Sequence, residues 1–329
     1  MNRRKFVTLL GTGALIWPIV ARTQQLSMPV IGLLSSVSFE TYAVRVAAFR
    51  RGLVETGFVE GNNVAIEYRS AEGRVERLPT LATDLVRQQV AVIVAIGGEV
   101  PARAAKTATS TIPIVFAVGG DPVDYGLVAS LGRPEANATG VSFFSNELGP
   151  KRIELLRELL PRSGPLAFLT GPTSTAANAE RAGKEFVQAT RNMGLQSVVL
   201  KADTEQKIDE AFASMMQQRV AGLVVENDAF LNSRREQIVA LAARHKVPAI
   251  YAYREHIQAG GLISYGTDVN EMYRQAGIYT GRILKGEKPG NLPVQLPVKF
   301  ELLINLKTAK ALGVTVPASL LSRADELIE

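Results

Sequence analysis

The chain repeats one pattern of apolar runs twice, at a spacing of about 135 residues. The run from Ile112 to Val118 ends in a Gly-Gly-Asp-Pro turn, and its counterpart from Val247 to Tyr253 ends in a charged turn. Two further pairs precede these in the same order: Val90 to Ala95 with Val220 to Val225, and Ile31 to Ser36 with Leu166 to Gly171. A duplication of this size determines the whole architecture, because each copy is a complete supersecondary unit.

Each apolar run is followed by a segment with apolar residues at helical spacing, so strands alternate with helices. Runs without polar alternation are typical of strands buried on both faces of a parallel sheet. We therefore expect an α/β protein of two similar Rossmann-like lobes, each with a parallel sheet and a ligand edge at its strands' carboxyl ends. Residues 307–329 are expected to be mostly helical, with breaks at Gly313 and Pro317.

Charge and cysteine content exclude several classes of protein. Of the 37 Lys and Arg residues, four lie in the first 26 positions, which contain no acid, and the remaining 33 face 31 Asp and Glu. The basic character is therefore mostly a property of the N-terminus, and nucleic acid is not an expected partner. The absence of cysteine excludes disulfides, thiolate metal sites and a lipid anchor on cysteine.

Residues 1–25 have the three parts of an export signal. A basic start containing Arg3 and Arg4 precedes an apolar run from Phe6 to Val20, which is short for a membrane span. The paired arginines resemble a twin-arginine signal, which implies export of a folded protein, with cleavage expected near Thr23 or Gln25. The alternative is an ordinary first helix. The mature protein is expected in the periplasm.

The mature chain resembles a known family over about residues 28–329. Phe300 to Lys310 and Asn227 to Arg234 are the most specific segments, and they are similar to the ABC-transporter substrate-binding family that includes tryptophan and tyrosine uptake proteins. The resemblance implies a type I periplasmic-binding-protein fold, with two lobes joined by a three-segment hinge. It places the N-terminal lobe at 28–143 plus 267–294 and the C-terminal lobe at 144–266 plus 295–329.

The same resemblance implies a small-molecule ligand captured between the lobes, an ABC permease in the inner membrane as partner, a monomer, and no cofactor. Turns after the strands of both sheets should face the shared cleft. The expected ligand-binding residues, with three at the crossing between lobes, are Ser35, Ser36, Gly98, Glu99, Asp121, Tyr125, Phe144, Ser145, Asn146, Thr173, Ser174, Asn227, Asp228, Tyr253 and Arg254.

This set suits an amino acid or a related metabolite, aromatic ligands included. Free N–H groups at helix starts after Ser36 or Gly98 could meet a carboxylate, and Asp121, Asp228 or Glu99 could meet an ammonium group. Each residue also has a structural alternative. Asp121 could begin a turn, Asp228 could cap a helix, and Arg254 could form a surface ion pair.

Signals for catalysis are weak in this sequence. No serine elbow, phosphate loop or His-Glu-x-x-His motif is present, and neither His245 nor His256 has the spacing of a metal ligand. A non-enzymatic receptor is therefore the leading hypothesis. The alternatives are an exported ligand sensor and an exported enzyme on the same two-lobed scaffold.

Overall fold

The computed structural model describes residues 28–160, 164–173 and 175–329. The predicted export signal and Ser174 lie outside these ranges. The described chain forms two sheets, one of five strands and one of seven, each covered by helices. We call each sheet with its helices a lobe.

The first lobe is built from the N-terminal part of the chain. Its elements, in order, are Val30–Ser35 (β1), Ala43–Glu55 (α1), Ala65–Ser70 (β2), Leu78–Arg87 (α2), Val92–Ile96 (β3), Glu99–Ala108 (α3), Ile114–Val118 (β4) and Ala138–Ser142 (β5). Strands β3 and β4 are buried throughout, as their unbroken apolar runs predict, and β5 is buried beside them, whereas the edge strand β2 is only partly buried.

The second lobe begins with a helix and continues the alternation. Its elements up to the last long helix are Gly149–Leu159 (α4), Leu166–Thr170 (β6), Ala176–Asn192 (α5), Ser197–Lys201 (β7), Glu205–Gln217 (α6), Gly222–Val225 (β8), Ala229–Ser233 (α7), Arg235–Arg244 (α8), Ala249–Tyr251 (β9), Arg254–Gln258 (α9) and Ile263–Gly266 (β10). Next in the chain comes Val269–Leu284 (α10), which packs against the first lobe. The second lobe is completed by Glu301–Asn305 (β11), Leu306–Leu312 (α11), Ala318–Leu321 (α12) and Glu326–Ile328 (β12).

The duplication read from the sequence is present in the topology. The first sheet has the order β2-β1-β3-β4-β5, and β7-β6-β8-β9-β10 repeats that order within the second sheet. All neighbours in these two series pair in parallel. The predicted fold class, two similar α/β lobes, is confirmed. Both lobes direct the carboxyl ends of their strands toward the cleft between them, because residues that follow strands of both sheets line one cavity there.

The C-terminus of the second sheet departs from the prediction. Strand β11 pairs with β10 in the antiparallel direction, because the chain re-enters this lobe from the first lobe and runs back along its neighbour. The expected helical tail instead ends in the short strand β12, parallel to β11. Three residues are too few for a sequence period to distinguish a strand from a helix.

The chain passes between the lobes three times. It first passes after β5, then between β10 and α10, and finally between α10 and β11. Helix α10 packs against α1 of the first lobe, and glycines bring the two backbones together. A Cβ at Gly52 would overlap the carbonyl oxygen of Arg274, and a Cβ at Gly277 would overlap that of Phe49. This close packing binds α10 to the first lobe.

Candidate functional site

A narrow cavity of about 30 Å³, which has room for about one or two water molecules, lies between the carboxyl ends of the two sheets. The two lobes are therefore close together at this point. Both lobes contribute to its lining, which consists of Tyr42, Arg45, Gly97, Gly98, Glu99, Gly119, Tyr125, Phe143, Asn146, Thr173, Asn227, Asp228, Ala229, Tyr253 and Tyr273. The expected residues among these are Gly98, Glu99, Tyr125, Asn146, Thr173, Asn227, Asp228 and Tyr253.

Asp228 is a buried carboxylate in the second-lobe wall. Its Oδ2 accepts hydrogen bonds from the backbone N–H of Thr173 at 2.8 Å and from the Thr173 hydroxyl, and its Oδ1 accepts from the N–H of Leu231 at 3.0 Å. The last bond caps the short helix α7, so the capping alternative from the sequence also holds. A carboxylate has about four acceptor positions, so these three bonds leave roughly one for a ligand.

A second carboxyl group lies close to Asp228. Glu226 accepts a hydrogen bond from the N–H of Gly171 at 2.9 Å. Burial and the neighbouring Asp228 raise the pKa of Glu226 to about 8, and burial likewise raises the pKa of Asp228 above its ordinary value. A positive charge beside these buried acids would stabilise their ionised forms, so this wall is a favourable place for a cation.

Arg45, which was not among the residues predicted from the sequence, provides the positive charge of the cavity. Its guanidinium lies 4.4 Å from the ring centroid of Tyr42 and 5.2 Å from that of Tyr253, and only 5% of the residue is exposed. Glu255 lies 3.7 Å away, and the Asn232 amide oxygen accepts from both Nη atoms when the amide is turned to exchange its oxygen and nitrogen. In the sequence, Arg45 is one cation inside an amphipathic helix, and only the fold turns it inward.

The rings of Tyr42, Tyr253 and Tyr273 surround this guanidinium, and Phe143 joins them through Tyr273. Phe143 and Tyr273 stack with centroids 5.9 Å apart, and Tyr42 meets Tyr273 edge-on at 6.3 Å. Tyr253 joins them from the second lobe, and all four side chains are buried within one core cluster that spans both lobes. The sequence analysis named Tyr253 as a contact, but Phe143 faces the cavity where Phe144 was expected.

A chain of hydrogen bonds along the cavity connects residues of the second lobe to Tyr125 of the first. The Asn227 amide nitrogen lies 3.3 Å from Asn146 Oδ1, and the Asn146 amide donates to the hydroxyl of Tyr125 at 2.9 Å. The Tyr253 hydroxyl donates to Asn227 Oδ1. Gly119 leaves the space for this contact, because a Cβ there would overlap the Asn227 amide nitrogen.

Glu99 connects the first lobe to helix α5 of the second. Its Oε1 accepts from the N–H of Thr175 at 2.6 Å, and its Oε2 accepts from the Asn178 amide. Nearby, Arg181 pairs with Asp124 across the same cleft at 2.6 Å. An acid at a helix N-terminus is electrostatically favourable, so the carboxylate of Glu99 stabilises contact between the lobes rather than standing free for an ammonium group.

The other predicted residues within the described ranges lie outside the cavity lining. Ser35 is the last residue of β1, and Ser36 follows it. Their hydroxyls donate to the carbonyls of Val37 and Gly97, at 2.7 and 2.6 Å. Asp121 accepts from Val123 N–H at 2.7 Å, which is the turn alternative.

Phe144 and Ser145 at the crossing and Arg254 of α9 are likewise absent from the cavity lining. Phe144 has a φ of 48° and is partly buried, and the Ser145 carbonyl accepts a hydrogen bond from Arg152 at 2.7 Å. Arg254 forms ion pairs with Glu301 and Glu326, at 3.6 and 2.5 Å. It begins α9, so its long side chain reaches the edge strands β11 and β12 instead of the cleft.

The described residues contain neither a metal-binding cluster nor a membrane-spanning helix. Within 28–160, 164–173 and 175–329, no group of three or more His, Asp or Glu side chains could hold a metal ion. Over those same ranges no helix has the length and apolarity needed to cross a membrane.

Two duplicated α/β lobes with a polar and aromatic cavity between them define a two-lobed solute-binding protein. The chain belongs to the family of ABC transporter substrate-binding proteins, which it matches over residues 30–328. It is 25% identical over 282 residues to a tyrosine-binding protein of Clostridioides difficile, covering 86% of this chain and 80% of that protein.

Two solved structures resemble the whole fold. A conserved domain protein of Vibrio cholerae has a TM-score of 0.82 and 27% identity, with coverage of 91% of this chain and 99% of that one. An ABC domain of Streptococcus pneumoniae in complex with L-Trp has a TM-score of 0.81 and 26% identity, with coverage of 92% and 100%.

Family membership confirms the function predicted from the sequence. The protein is the solute-binding receptor of an ABC importer, and its ligand is a small molecule captured between the lobes. An ABC permease is the partner that the family implies. The family consists of binding proteins rather than enzymes.

Proposed function

We propose that this receptor captures a free aromatic α-amino acid outside the cytoplasm and presents it to its permease. The observation that carries the proposal is the combination, in one cavity between the lobes, of a buried arginine, a buried aspartate and four aromatic rings. The relatives that bind tyrosine and L-Trp support the same ligand class.

The charges of the cavity fit a zwitterion. The ammonium group meets the carboxylate of Asp228, where a nearby positive charge favours the ionised form of this buried acid. The carboxylate meets the guanidinium of Arg45 and the N–H groups at the start of α3, behind Gly97 and Gly98. Opposite charges at opposite walls orient the ligand across the cleft.

The ring of the ligand lies among Tyr42, Phe143, Tyr253 and Tyr273. These side chains come from α1, from the crossing after β5, from the turn after β9 and from α10. An aromatic ring packed among others in offset or edge-on geometry gains about 0.5–1.5 kcal/mol per pair beyond the burial of its area. An aliphatic side chain of similar size lacks this contribution.

Capture proceeds by closure of the lobes around the ligand. The contacts of Glu99 with α5 and of Asp124 with Arg181 belong to the closed form, and the three passages of the chain between lobes act as the hinge. We assign 28–143 plus 267–294 to the N-terminal lobe and 144–266 plus 295–329 to the C-terminal lobe. We further propose periplasmic export by the twin-arginine signal at 1–25, action as a monomer, and return of the ligand unchanged.

Isothermal titration calorimetry of the protein with L-tryptophan, L-tyrosine and L-phenylalanine tests the proposal. Each is compared with a ligand lacking one group: tryptamine lacks the carboxylate, indole lacks both charges and L-alanine lacks the ring. We expect the aromatic amino acids to bind at least about 100-fold more tightly than any of the three, since each missing group removes about 3 kcal/mol or more.

A fluorescence version of the test removes the single tryptophan of the chain, so that only the ligand contributes indole emission. The full chain carrying Trp17→Phe contains no tryptophan, because Trp17 is the only one in the sequence. Indole emission on titration then comes from the ligand alone, and burial among tyrosines should shift it to shorter wavelength. Equal affinity for L-alanine and L-tryptophan would contradict the aromatic class.

A further inference from the structure

A second cavity, of about 200 Å³, lies in the second lobe between α4 and α5. Its floor is formed by side chains of β6 and β8, and it reaches the interlobe cleft at Asn146 and Asn227, which line both cavities. The hydrogen-bonding contact between these two amides separates the two spaces. Nothing in the capture of a ligand by the first cavity requires the second.

A buried guanidinium in the wall of this cavity has a free donor. Arg152 is only 3% exposed, and it donates from Nε to the carbonyl of Tyr265 at 2.8 Å and from Nη1 to that of Ser145 at 2.7 Å. Its Nη2 has no hydrogen-bond partner among the described residues. Burial without a paired carboxylate lowers the pKa of Arg152 to about 10. A buried charge in this situation is strongly stabilised by an anion.

Apolar side chains form much of the remaining wall. Phe168 of β6 and Phe186 of α5 stack with centroids 4.8 Å apart and planes at 14°, and Ile153 and Val224 extend this surface. Such a wall packs against a flat or branched hydrocarbon group.

Acidic groups of the cavity lie mainly at its mouth. Glu147 and Glu185 are exposed, and Asp124 is neutralised by Arg181. Glu226 lies inside, but its pKa of about 8 keeps it protonated at neutral pH, where its hydroxyl is a donor. The interior therefore offers donors to an anion, while the exposed acids are screened by solvent.

We propose that this second cavity is a separate binding site for a small organic acid, with its carboxylate on Arg152 and its apolar body against Phe168 and Phe186. The proposal for this second site does not depend on which ligand binds in the first cavity. Occupation would fix α4 and α5, and through α5 the contact with Glu99 that joins the lobes.

The test uses three probes with one ring and different charge. Ligand-observed NMR and thermal shift are recorded with 3-phenylpropanoate, 3-phenylpropylamine and 3-phenylpropanol. We expect the acid to bind at least about tenfold more tightly than the alcohol, and the amine to bind most weakly. Tighter binding of the amine would overturn the proposal, as would the absence of binding by the acid at millimolar concentration.

Cavity-filling variants locate the binding. Ala182 on α5 lines the second cavity, so Ala182→Trp should fill it and weaken binding of 3-phenylpropanoate at least about tenfold. Ala177→Trp, exposed on the same helix, is the matched control and should change the affinity by less than about twofold. Ala189→Trp, farther along the same wall, replaces Ala182→Trp if circular dichroism reveals that the latter does not fold. Acid binding that survives the filled cavity would contradict this location.

Discussion

The two lobes share a strand order but present different chemistry to the cavity. The first-lobe turns after β3 and β4 contain paired glycines, Gly97-Gly98 and Gly119-Gly120. The corresponding second-lobe turns contain Glu226-Asn227-Asp228 and Tyr253. At these turns the first lobe therefore supplies backbone and space, and the second lobe supplies the side chains that fill that space.

This difference explains how two similar halves close on each other. Side chains on both sides would collide, whereas glycine at Gly119 admits the Asn227 amide and glycine at Gly120 leaves room for the Asn146 amide. The first lobe in turn contributes its charge from a helix, through Arg45 on α1. A duplicated fold acquires an asymmetric site by changing its turns while preserving its sheets.

The largest effect is expected from adding a side chain to the glycine lobe. Gly119→Leu should reduce ligand affinity at least about 100-fold, because the side chain occupies the place of the Asn227 amide and prevents closure. Thermal stability without ligand should change little, since the open form has room. Calorimetry measures the loss, with Gly132→Leu on the exposed surface as the control. Unchanged affinity would contradict the proposed closure.

The second prediction removes charge from the side-chain lobe. Asp228→Asn should weaken binding of an amino acid by about 10- to 100-fold, because a charged hydrogen bond to the ammonium contributes roughly 1.5–3 kcal/mol. Asparagine caps helices as well as aspartate, so the fold should be retained. Asp84→Asn, an exposed acid on α2, serves as the control. Equal affinities for wild type and Asp228→Asn would place the ammonium elsewhere.

A smaller effect is expected at the contact that bridges the lobes. Glu99→Gln should speed ligand release about 5- to 10-fold, because the uncharged amide interacts less favourably with the N-terminus of α5. Stopped-flow displacement measures the dissociation rate. As the control, Glu180→Gln alters an exposed acid on α5 and should leave the dissociation rate unchanged. Slower binding with unchanged release would contradict a role in holding the closed form.

The last prediction concerns the pH dependence of stability, rather than ligand affinity, and involves Glu226. Its pKa is raised from 4.5 to about 8 in the folded protein, so the unfolded chain binds fewer protons over that interval and stability falls as pH rises from 4.5 through 8. Glu226→Gln should remove this part of the decline, about 1–3 kcal/mol, and leave stability near pH 4 unchanged. Urea denaturation at several pH values measures it. Parallel curves for both proteins would refute the raised pKa.

Much of the fold could be predicted because the strands are local signals. The fully apolar runs of β3 and β4 and their copies fix a doubled parallel architecture. The antiparallel β11 depends on a chain that leaves one lobe and returns, and β12 on pairing with that strand, so neither is visible in a short window of sequence.

The site was predicted where it follows strands and missed where it does not. Asn227, Asp228 and Tyr253 could be found because turns after parallel strands face the ligand edge. Arg45 and Tyr273 lie within helices, where their periodicity is that of ordinary packed or solvated positions. Only the packing of α1 against α10 brings them together.

A crystal structure of the protein with L-tryptophan or L-tyrosine tests the central claim most directly. We predict the ligand between the lobes, with its nitrogen about 2.8 Å from a carboxylate oxygen of Asp228 and its carboxylate within hydrogen-bonding distance of Arg45. A ligand bound to one lobe alone, or bound between the lobes with its nitrogen facing the first-lobe glycines, would contradict it.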